Sequence, residues 1–126
     1  MSTKTEGRHT AEFLISEANG FRSRDEVTVT VPASTTLAAG FVLAQLSVSG
    51  NYVPYDNAGS DGSEEAAGVL LEELVNDDDA PADIEGTVIN GDAEVRESDL
   101  EWTDGLTDND KAAALVDLRA VGIKAR

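Results

Sequence analysis

Strict alternation from Val27 to Val31, VTVTV, puts three valines on one side and Thr28 and Thr30 on the other, the period of a half-buried strand. Pro32 removes a ladder donor and ends it. Upstream, Phe13-Leu14-Ile15 predicts a short extended piece, and Asn19-Gly20 a turn. Downstream, Ala38-Ala39-Gly40 turns the chain into a strand from Phe41 to Val48. Ser49-Gly50-Asn51 then predicts a hairpin with Tyr52 to Tyr55, in which Pro54 argues for a sheet edge. Ala67 to Val75 predicts one mostly buried strand, and Asn76 to Asp83 a solvated acidic loop. Residues 84 to 97 place Asn90-Gly91 between two β-prone runs, which predicts a type I′ hairpin.

Helix appears only late. Thr107 followed by Asp108-Asn109-Asp110 fits an N-cap with an acidic third position. Ala112 to Val121 then brings Leu115, Leu118 and Val121 to one face before Gly122 stops the helix. Ile123 to Arg126 can add a last edge strand. Residues 1 to 10 are polar and aperiodic, as expected of a flexible arm. There is no solenoid repeat and no linker. The expected fold is α+β and β-rich: a small single domain of short strands and hairpins with long loops, one C-terminal helix and an N-terminal arm. The arm is drawn over residues 1–24 and the domain over residues 25–126.

A chain of 126 residues has surface-to-volume room for one modest core. Aromatics are 5% of residues, so Val, Leu, Ile and Ala must fill that core around Trp102 and a few Phe and Tyr. Absence of cysteine excludes disulfides, thiolate metal sites and a thiol nucleophile. The leading MSTKTEGRHTAEF lacks an apolar signal core, and the greasiest run, Leu37 to Leu46, is too short to span a bilayer, so a soluble protein made without export is expected.

Charge changes the picture more. The net charge of −16 repels phosphates and argues against nucleic-acid binding. Residues 56 to 110 hold nineteen carboxylates against Arg96 alone, whereas residues 1 to 24 carry four cations and three carboxylates. Self-repulsion of this size is best tolerated in salt, so a marine or halophilic setting is expected.

Candidate chemistry is sparse. Aligning Gly62 with the turn glycine of a calcium loop leaves Gly59 and Gly68 where oxygen ligands are required, so the Gly/Ser/Asp stretch reads as a turn. Asp77-Asp78-Asp79 reads as a solvated run. His9, the sole histidine, lies in the arm, away from any wall that could orient a general base. No nucleophile elbow or phosphate loop occurs, so no catalytic, cofactor or metal residues are expected. Trp102 is a core anchor or a subunit contact. The alternative left open is a calcium-dependent or otherwise acidic β-module of a surface scaffold.

One ordered series carries a resemblance. EFLISEANGFRSRDEVTV, LAAGFVLAQL, YVPYD, SDGSEEAAGVLLEEL, VINGDAEV, and LEW before a helix ending in VGIKAR are spread over residues 11 to 126. In order and spacing the chain resembles the head decoration proteins of tailed bacteriophages, the family of the bacteriophage lambda head decoration protein. The resemblance implies a homotrimer at the local three-fold positions of an expanded icosahedral head, clamping the major capsid protein against internal DNA pressure. It implies a location on the outer surface of the virion after synthesis in the host cytoplasm. It also implies a structural role with no enzymatic activity, cofactor, nucleic-acid or membrane partner. The arm would add a strand to a capsid sheet, with His9, Thr10, Ala11, Glu12, Phe13, Leu14, Ile15 and Ser16 as candidates alongside Arg22 and Arg24. The dense carboxylates at Asp77 to Asp83 and Asp92 to Asp110 exceed the family pattern.

Overall fold

The computed structural model of the chain describes residues 13–17 and 24–126. Its elements in order are β1 (Leu14–Glu17), β2 (Arg24–Val31), β3 (Thr35–Leu37), β4 (Val42–Gln45), β5 (Tyr52–Pro54), β6 (Ala66–Leu70), β7 (Leu74–Asn76), β8 (Ala82–Ile89), β9 (Ala93–Val95), α1 (Asp108–Ala120) and β10 (Ile123–Ala125). Strands β2, β5, β4, β6 and β8 close into a barrel. Its seam is the antiparallel pairing of β2 with β8, which runs unbroken from Arg24 opposite Ile89 to Val31 opposite Ala82. A second sheet has the order β1-β9-β10, and β3 pairs with β7 in a two-stranded ribbon. The many short strands and, among the described residues, one α-helix make the small α+β domain expected from the sequence.

Two apolar clusters hold these layers together. Val29 and Val31 from the alternating strand join Leu37, Leu43, Tyr52, Leu70, Leu74 and Val88, with Val27 packed against them. Burying each such Val or Leu is worth roughly 1.5–3 kcal/mol. The second cluster lies among β4, β6, α1 and the three-stranded sheet: Val42 and Ala44 meet Val69, Ile89, Ala114, Leu118 and Ile123. Strand β4 contributes to both clusters, Leu43 to one and its neighbours to the other. Both of its faces are covered, which explains an apolar run rather than an alternating one.

Local chemistry sets the helix. Thr107 Oγ1 accepts from the Asp110 amide at 3.1 Å, and Asp110 Oδ2 accepts from the Thr107 amide at 3.0 Å, a closed capping box. Gly122 ends it at φ +94°, where an added Cβ would also sit 2.9 Å from the Asp92 nitrogen. The buried helical residues are Ala114 and Leu118. Val121 is the C-cap and 39% exposed, so it does not continue the face predicted with Leu115 and Leu118.

Tertiary pairing overrides several local expectations. The Asn90-Gly91 segment is not a hairpin: β8 pairs with β2 and β6, while β9 pairs with β1 and β10, so the segment is a corner between sheets. Asn90 Nδ2 instead donates to Asp25 Oδ2 at 2.7 Å. The single strand predicted from Ala67 to Val75 breaks after Leu70, and β7 joins β3. Pro54 is not on an edge strand, since β5 lies between β4 and β2. Its missing donor is tolerated because the β2 pairing is made at Tyr52. Asn76, placed in the solvated loop, is buried, and its Nδ2 lies within 3.1 Å of the carbonyls of Val31, Pro32 and Ala80.

Candidate functional site

Of the predicted arm residues, His9, Thr10, Ala11, Glu12 and Arg22 lie outside the described residues. Phe13 is fully buried in the cluster beneath α1, and its carbonyl accepts from the Arg96 amide at 2.7 Å. Leu14 to Ser16 belong to β1, with Leu14 opposite Val95 and Ser16 opposite Glu94. Phe13 to Ser16 are therefore part of the body, and they root the chain beside β9. Ile15 points away from that cluster and is 43% exposed. Arg24 opens β2 opposite Ile89 and borders a groove with Asp25 and Glu26.

In the β1-β9-β10 order both outer strands have one side without a strand partner among the described residues. An unpaired edge presents a row of backbone donors and acceptors, a template for an added strand. Such an edge binds by main-chain pairing and requires no reactive group.

Trp102 is partly buried. It packs against the larger cluster, while Lys111 Nζ stands 5.9 Å from its ring centroid. Trp102 also lines a groove of about 450 Å³ with Phe41, Pro32 and Pro54, so it both packs on the core and reaches the surface.

The Gly/Ser/Asp loop is held by its own carboxylates. Asp61 Oδ1 accepts from the Ser63 hydroxyl at 2.6 Å and from its amide at 3.2 Å, and Glu64 Oε1 accepts from the Gly62 amide at 2.8 Å. The Ser63 hydroxyl, then its amide, hold the Asp61 carboxyl below its ordinary value. Gly62 adopts φ +109°, and a Cβ there would come 2.4 Å from the Gln45 carbonyl oxygen. These oxygens are committed to a turn packed on the end of β4. Among the described residues no three His, Cys, Asp or Glu converge as a metal site.

Sequence reasoning missed the polar link centred on Tyr55. Its buried ring carries a hydroxyl that donates to Asn57 Oδ1 at 3.0 Å, and Asn57 Nδ2 donates to Asp110 Oδ1 at 2.8 Å, tying β5 to the start of α1. Burial, then the carboxylates of Asp117, Asp110 and Asp56, push the Tyr55 phenol above its ordinary value. No sequence signal announces this link, because Tyr55 and Asp110 meet only after the barrel forms.

None of the curated proteins matches the chain. The family model described as bacteriophage lambda head decoration protein D matches residues 3–123, nearly the whole length. Its span takes in β1, the barrel, α1 and the first residue of β10. The chain belongs to the bacteriophage lambda head decoration protein D family.

Proposed function

We propose that three copies of this chain assemble and seat at the local three-fold positions of an expanded icosahedral head, on the outer surface of the virion. There they clamp neighbouring major capsid subunits against the pressure of packaged DNA. The observation that carries this reading is the family match over residues 3–123. The geometry adds support. Phe13 is buried in the core, and β1, directly after it, has an outer edge with no strand partner among the described residues. Residues 1–12, ending in His9, Thr10, Ala11 and Glu12, precede that edge and are the segment that would add a strand to a capsid sheet. The exposed side of Trp102 is available for a contact between protomers.

The test mixes the purified protein with empty expanded heads and reads the result by light scattering and electron microscopy. A solution mass of three chains and added density at the three-fold positions are expected. A variant lacking residues 1–12 should keep the trimer mass and circular dichroism of the parent but leave heads bare. A stable monomer, or undiminished binding by the truncated chain, would overturn the trimer or the arm respectively.

A further inference from the structure

Unpaired positive charge and exposed apolar surface coincide at one pole of the body. Of the described cations, Arg24 lies on the barrel, whereas Arg96, Lys111, Arg119, Lys124 and Arg126 all follow β9. Residues 111–126 carry four cations and the single carboxylate of Asp117, in a chain whose net charge is −16. Three of these cations are engaged: Arg126 by Glu94, Arg96 by Asp99, and Lys111 by the Trp102 ring. Arg119 and Lys124 are exposed and meet no carboxylate among the described residues.

These two side chains flank a groove of about 190 Å³ between α1 and β10, lined also by Leu115, Val116, Ala125 and Glu97. Val116 is 68% exposed. Other grooves have the opposite balance. The one beside Trp102 carries Glu101 and Asp104, and the one beside β8 carries Glu26, Glu72 and Glu85, neither with a cation.

We propose that this groove and the edge of β10 that has no strand partner among the described residues receive an extended, carboxylate-bearing segment of the shell protein. An apolar side chain of that segment lies against Val116 and Leu115, and its carboxylates meet Arg119 and Lys124. The inference rests on the decoration reading and specifies which pole faces the shell. Strands β1 and β10 flank the same strand β9, so the arm and the groove open from one sheet. The chain's own leading residues are a poor occupant, because Lys4 and Arg8 are balanced by Glu6 and Glu12. In a molecule this acidic, an acidic partner can approach without repulsion where cations outnumber carboxylates locally.

The experiment titrates empty expanded heads of the parent virus with the parent chain, with Arg119→Glu/Lys124→Glu and with Arg119→Gln/Lys124→Gln. At 0.1 M salt the reversed variant should bind on the order of tenfold more weakly or worse, and the neutral variant less so. Solution mass and circular dichroism should stay unchanged, since both side chains are exposed. Should the reversed variant bind as well as a parent chain that does decorate heads, the groove proposal fails and the decoration reading stands. Should the reversed variant lose self-association instead, the face lies between copies of this chain and the proposal also fails. A parent chain that leaves heads bare overturns the decoration reading, and the groove with it.

Discussion

The Tyr55 ring is fully buried, while its hydroxyl reaches Asn57 and, through it, the carboxylate that caps α1. Its phenol is raised above the ordinary value of 10.0, so the sign of its pH dependence is fixed. Below that value both folded and unfolded chains keep the proton, and stability is undiminished. As pH climbs past it, the unfolded chain ionises first and stability falls until the folded value is passed. Replacing Tyr55 with Phe should cost about 1 kcal/mol at neutral pH through the lost hydrogen bond, yet flatten the alkaline decline. Urea titrations at neutral pH and above the phenol range check both points, and an equally steep decline in the variant would remove Tyr55 as its cause. Asp61 acts at the other end of the scale. Its lowered carboxyl contributes above the ordinary carboxylate range, and that contribution is lost as pH falls through the folded value.

At the scale of elements, what could be read from the sequence was what short-range chemistry decides. The VTVTV alternation gave a strand with Val29 and Val31 inside, and Thr107 with Asp110 gave a helix start. Substituting Thr107 with Ala should lower stability by about 1 kcal/mol, visible as an earlier urea midpoint at unchanged slope; an unmoved midpoint would mean the box is idle. Partner choice was not legible. Asn90-Gly91 has hairpin residues, but β8 is taken up by β2 and β6 while β9 pairs with β1 and β10, so the corner follows from pairing far along the chain. The same holds for Ala67 to Val75, where Leu70 fills the barrel and Leu74 begins another ribbon. The excess of cations after Lys111 is countable in the sequence. The groove they flank is not, because it exists only once β10 lies parallel to β9 under α1.

For the whole molecule the dominant fact is repulsion: twenty-five carboxylates stand against nine Lys and Arg. If the chain is suited to a saline setting, screening should stabilise it, and its melting temperature should rise by about 5 °C or more between dilute buffer and 1 M KCl. A melting temperature indifferent to salt would count against that adaptation. The barrel seam has a separate consequence for how the chain is made. Because β2 is sealed by β8, a nascent chain leaving the ribosome cannot shut its barrel until Ile89 has emerged. Strand β9 must wait longer still, for one of its two flanking strands, β10, is translated only after α1. Folding is thus weighted toward late, long-range closure and should be slow for so small a protein, and a message cut short before β10 would yield a product with an open sheet that proteases can clear.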